Sequence, residues 1–340
     1  MTGRGFLVAV AAVIAAACQS REPAQSGDRT VTIYVSTDRV FSEPVLREYE
    51  RRSGVRVNVA YDTEETKSTG LANRLLAERN RPQADVFWSN EPVRTLVLKS
   101  RDVLASYRSP GADGIPAALV DPEAYWTGFS ARIRVIAYNT KLVSPDEAPR
   151  SIFDLADPKW KGQVAMADPR FGSTSFHVAA LYAHVGDAKM DDFFRRLRAN
   201  EVRVVDSNST VRDLVVRGEV RVGLTDTDDV NVAVENGEPV AMVLPDRDGL
   251  GVPVMPNMVS LIANAPHPDE GRRLIDYLLS PDVERQLAES QAVQIPLHAG
   301  VPGPKNIPSI DSFRPMTLDY TKAAARVEEV TLRAATILGL

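Results

Sequence analysis

The chain has 340 residues, 45 acidic against 40 basic side chains, a formal net charge of −5 and a single cysteine. With no Lys/Arg run downstream of the N-terminus, this acidic balance argues against a nucleic-acid partner, and one sulfur excludes an intramolecular disulfide. A 44% hydrophobic content can supply cores instead, and the length suits two domains.

Arg4 precedes an apolar run over residues 6–17 that ends in small residues just before Cys18. About a dozen apolar residues match the ~7–15 of a secretory signal and fall short of the ~20 of a membrane-spanning helix. Residues 1–17 therefore read as a lipoprotein signal peptide, with Ala15, Ala16 and Ala17 presenting Cys18 for lipidation. An ordinary secretory signal with a free thiol left over is the alternative. Residues 18–28 are polar and contain Pro, Gly and Ser, the composition of a flexible tether. The expected location is exported, periplasmic or at the cell surface, lipid-anchored at Cys18.

From Thr30 onward, β-branched runs alternate with helical periodicity, which predicts an α/β architecture with largely parallel strands. Strands are expected over 30–35, 55–61 and 84–88. The helix after the first is expected to start with Ser42 as N-cap and Pro44 in its first turn, and to stop at Gly54. A strand over 132–138 leads to a second α/β set, with strands over 163–166, 202–205 and 220–224. A strand over 258–263 then returns the chain to the first set, followed by helices near 269–279 and 281–290. The expected organisation is a first lobe of residues 29–133 with 259–340 and a second of 134–258.

Ligands of open α/β sheets collect outside the carboxyl ends of the strands, where loops and helix N-termini converge. The residues following the strands are therefore the candidates for cargo binding. They are Thr37, Asp38 and Arg39, then Glu65, then Asn90 and Glu91 in the first set. In the second set they are Ser173, Thr174 and Ser175, then Asn208 and Ser209, and finally Asp226, Asp228 and Asp229. Helix capping alone also favours Ser, Thr, Asn and Asp at such places; their recurrence after nearly every strand favours a ligand. Asp226, Asp228 and Asp229 are a candidate metal-binding group, since carboxylates attract hard cations or amines. Arg132 and Arg134 alternate along the strand that enters the second set, where they face either a cargo anion and the acidic turn or solvent. The four histidines show no metal-ligand spacing, and there is no G-x-S-x-G, Walker A or G-x-G-x-x-G motif.

Several segments resemble the ferric-iron-type extracellular solute-binding proteins of bacterial ABC importers, which have the two-lobed type II periplasmic-binding fold. The resemblance spans about residues 30–296. It is carried by Ile33-Tyr34-Val35-Ser36-Thr37, Ala84-Asp85-Val86-Phe87, Tyr138-Asn139, Ile152-Phe153-Asp154-Leu155 with Pro158-Lys159-Trp160-Lys161-Gly162, and Gly218-Glu219 before the last strand of the second set. It implies two lobes of mixed, mostly parallel sheets flanked by helices, with a cleft between them. It further implies a monomeric, non-enzymatic receptor that hands a small charged solute to a membrane permease and, indirectly, its ATPase. No cofactor is implied, and a metal ion enters only as cargo. The family's iron-binding tyrosine pair falls on Asp228 and Asp229, and none of the nine tyrosines is adjacent to another. The iron site therefore does not carry over as it stands. Iron or another metal, an organic anion such as a phosphonate, and a lipid-anchored metal-dependent hydrolase are the three readings left open.

Overall fold

A computed structural model describes residues 29–63 and 66–340; the signal peptide, the tether, Cys18 and Glu65 lie outside the described residues. The first β-branched runs form β1 (Thr30–Val35), β2 (Arg56–Tyr61) and β3 (Val86–Ser89), a parallel trio with β1 in the middle. Helices α1 (Arg39–Ser53), α2 (Thr69–Glu78) and α3 (Pro92–Ser100) follow these strands in turn, and a short β4 (Leu104–Ala105) comes next. Helix α1 begins a turn earlier than the sequence suggests, with Asp38 at the N-cap. Ser42 is instead inside the helix, where its hydroxyl donates back to the carbonyls of Thr37 (3.3 Å) and Asp38 (3.0 Å).

Strand β5 (Thr127–Asn139) is the longest, and all 13 of its residues are buried. Beyond it lie β6 (Val164–Ala167), α4 (Gly172–Val185), α5 (Asp187–Ala199), β7 (Arg203–Val205), α6 (Asn208–Val216), β8 (Val222–Asp226), α7 (Thr227–Glu235) and β9 (Val240–Val243). Here β6 pairs in parallel with both β7 and β8, a second trio. The return strand β10 (Val254–Ile262) leads to α8 (Pro268–Leu278), α9 (Pro281–Glu289) and the C-terminal α10 (Tyr320–Leu338).

The two trios are joined by antiparallel strands in the order β2-β1-β3-β10-β5-β8-β6-β7. The first half of β5, from Thr127 to Ile133, pairs with β10, whereas from Arg134 onward it pairs with β8 and β9. One strand thus leaves the first sheet and enters the second between Ile133 and Arg134. The β5–β10 ladder shifts register between Pro256 and Asn257, just before this handover. Helix α10 packs along α4 and α5 as well as α3. Arg326 grips Asp187 with two bonds of 2.8 and 2.9 Å, and Lys322 reaches the carbonyl of Ala183 at 2.8 Å.

Candidate functional site

The carboxyl ends of both parallel trios open onto one polar cavity. It is lined by Asp38, Lys67 and Asn90 from the first set of loops. Phe171, Gly172, Ser173, Thr174, Asp206, Ser207, Asn208, Ser209, Asp226, Asp228 and Asp229 come from the second, with Arg132 of β5 between them. The cavity is narrow, with a volume of about 30 Å³. The loops meet across the cavity: the Gly172 N–H donates to the Lys67 carbonyl at 2.9 Å. Gly172 has φ +53°, a left-handed backbone that favours glycine at this crossing, although a Cβ there would make only ordinary contact with the Lys67 Cβ at 3.4 Å. No side chain caps α4, whereas Ser207 caps α6 by accepting from the Thr210 N–H at 3.1 Å.

Arg134 is completely buried and donates to Asp226 Oδ1 at 2.7 Å and to Asn208 Oδ1 at 3.0 Å. Arg132 donates to the Asn90 carbonyl at 2.9 Å and to Ser173 Oγ at 3.3 Å. Its Nε lies 3.6 Å from Asp228 and 3.9 Å from Asp226. Burial by itself would raise the Asp226 carboxyl, but Arg134 and Arg132 outweigh it and hold the group below the usual carboxylate range. Asp228 goes the other way: burial and the neighbouring Asp229, Asp226 and Asp38 push it well up despite Arg132. Asp229 is pushed up to about 7, first by burial and then by Asp226 and Asp38. The Lys67 ammonium pairs with Asp38. Asp228 is therefore left facing Arg132, and Asp229 feels Lys67 as a cation that offsets its upward shift only in part. One carboxylate oxygen from each of Asp226, Asp228 and Asp229 lies within 4.8 Å of the others.

Ten of the sequence candidates line this cavity: Asp38, Asn90, Arg132, Ser173, Thr174, Asn208, Ser209, Asp226, Asp228 and Asp229. Four others do not. Arg39 is exposed and clasps Glu43 one turn along α1 at 2.9 and 3.1 Å. Thr37 donates to Asn257 Oδ1 at 3.0 Å. Glu91 caps α3, accepting the N–H groups of Val93 and Arg94 at 2.6 and 2.9 Å, and the Ser175 hydroxyl bonds back to the Gly172 carbonyl at 3.0 Å. Lys67, Asp206 and Ser207 also line the cavity; each follows a strand, the same signal that picked out the others. His177, behind Thr174 on α4, is buried and pushed down to about 3 by burial and Arg134, so it stays neutral.

Two joined α/β sheets with a polar cavity at the strand ends of both define a two-lobed periplasmic-binding-type receptor. Residues 82–324 match the family of bacterial extracellular solute-binding proteins, and the chain belongs to it. It is 25% identical to iron uptake protein A1 of Synechocystis sp. over 344 residues, 97% of this chain and 94% of that protein. A Salmonella typhi periplasmic protein provisionally named for binding 2-aminoethylphosphonate is 26% identical over 240 residues, 66% of this chain and 69% of that one. Iron-bound HitA from Pseudomonas aeruginosa superposes with a TM-score of 0.81 at 22% identity, covering 92% of this chain and 100% of HitA. The chain is thus a solute-binding protein of a transport family rather than an enzyme. Among the described residues, no helix is long and apolar enough to cross a membrane.

Proposed function

We propose that the cargo is a small bipolar solute, with an oxyanion held by Arg132 and the N-termini of α4 and α6 and a cationic group held by Asp228 and Asp229. The observation that carries this is the engagement of Asp226. With Arg134 at 2.7 Å and Arg132 close by, Asp226 is already neutralised. Two carboxylates and an adjacent guanidinium remain, a pattern that suits an ammonium beside an oxyanion. The similarity to the Salmonella typhi protein supports a zwitterionic phosphonate as one such solute. A metal ion with an accompanying anion is the second reading. It is favoured by the approach of Asp226, Asp228 and Asp229 to within 4.8 Å of one another and by the iron-binding relatives.

Residues 29–133 with 259–340 form the first lobe of this reading and residues 134–258 the second, with α10 laid across helices of both. Cargo that touches Asn90 on one side and Ser173, Asn208 and Asp228 on the other stabilises the closed arrangement over the open one. Calorimetric titration of ligand-stripped protein with 2-aminoethylphosphonate, inorganic phosphate and ferric citrate separates the readings. The expected result is tightest binding of the aminophosphonate, accompanied by a smaller radius of gyration in small-angle scattering. Iron binding with no response to the phosphonate supports the metal reading instead.

The signal at residues 1–17 and the thiol that follows support a lipid anchor at Cys18. One acyl chain gives marginal, reversible membrane attachment at ~0.8 kcal/mol per buried CH₂, so stable anchoring requires several chains on this cysteine. Cys18→Ser should move the protein from the membrane fraction to the soluble fraction on cell fractionation. Retention of a normally cleaved variant in the membrane refutes the anchor.

A further inference from the structure

Two buried polar atoms in the cavity wall have no hydrogen-bond partner: Asn90 Oδ1 and Arg132 Nε. Both residues are 3% exposed. Buried polar groups are ordinarily paired, so an orphan acceptor and an orphan donor in one cavity wall describe what an occupant has to supply. The backbone of Asn90 is already satisfied: its N–H donates to Ser36 Oγ at 3.0 Å, and its carbonyl accepts from Arg132 at 2.9 Å. Its side-chain oxygen is the group left over.

We propose that Asn90 determines specificity by accepting a hydrogen bond from the cargo's cationic end, so that the receptor selects solutes carrying a primary ammonium a short distance from an oxyanion. This rests on the bipolar-solute reading above and narrows it. Inorganic phosphate meets Arg132 Nε but leaves Asn90 Oδ1 unpaired. A bare metal ion meets Asn90 Oδ1 but leaves Arg132 Nε without a hydrogen-bond partner; a metal with an accompanying anion would meet both, and the ferric citrate titration above separates that case. A primary ammonium has three N–H donors, and the cavity offers three acceptor side chains for them in Asp228, Asp229 and Asn90. The oxyanion of the same molecule pairs Arg132 Nε.

The test compares 2-aminoethylphosphonate with ethylphosphonate, which lacks the amine, on the full chain by calorimetry. Wild-type protein should prefer the aminophosphonate. In Asn90→Leu that preference should fall by about tenfold, the scale of one hydrogen bond to a charged group. Asn90→Asp keeps an acceptor and adds charge, so there the preference should rise by about tenfold; this variant serves alone if Asn90→Leu does not fold. An unchanged preference in either folded variant overturns the role of Asn90 while leaving the bipolar-solute reading standing. Failure of wild-type protein to bind either phosphonate sinks that reading, and the role of Asn90 with it.

Discussion

Replacing Asp228 and Asp229 together by asparagine should weaken cargo binding by about 100-fold or more, since two charge-assisted hydrogen bonds are lost and each is worth roughly tenfold or more. The fold should survive, because asparagine keeps the shape at the first turn of α7 and also tolerates helix starts. Unchanged affinity in the double variant would return both residues to a helix-capping role. The same variant has a second signature in the cargo-free protein. Asp229 is pushed up to about 7, against about 3.9 for an aspartate in an unfolded chain. The folded state therefore holds this proton more tightly than the unfolded state. Its stabilising contribution is complete below about pH 4 and is lost as pH rises through about 7. Thermal unfolding should accordingly show the asparagine variant gaining on wild type at about pH 8 and not at about pH 4.

Arg134→Met should be the most destabilising single substitution in the site, costing about 3–5 kcal/mol, because it leaves Asp226 buried without its 2.7 Å partner. Arg132 remains, but only at 3.9 Å from that carboxylate. Urea unfolding of Arg134→Met, Asp226→Leu and the pair measures the coupling directly. The double variant should recover most of the loss, since an apolar pair of similar volume replaces a buried ion pair at little cost. Additive losses in the double variant would show that Arg134 acts through its other contacts, to Asn208 and Thr174.

The strands that build the two trios were legible because Val31, Ile33 and Val35, then Val86 and Trp88, are dense in residues that fit a buried pleated surface. The loops after them were legible for the same reason, since a strand's end says where its next polar residues go. What failed to show was anything set by distant contact. Arg132 and Arg134 alternate as a half-solvated strand would, yet both faces of β5 are covered, and the partner of Arg134 lies 92 residues away. The exclusion of Arg39 from the cavity did have a local sign, its four-residue spacing to Glu43 on a helix surface. Lys67 was no more distinctive than its neighbours until the Gly172 crossing placed it at the cavity. Helix α10 carries its buried face at Val327, Val330 and Ala334, a helical spacing, but nothing local says that it packs on α4 and α5.

That placement of α10 bears on how the chain is made. The helix that covers α4 and α5 leaves the ribosome about 140 residues after the acidic side chain that Arg326 grips. Until it emerges, the apolar flank of α4, including Phe176, which meets Tyr320 with ring centroids 6.1 Å apart, has no cover. The second half of the molecule therefore cannot complete itself during synthesis. For a chain exported unfolded, a fold that closes only when α10 arrives stays threadable until that late segment has been made.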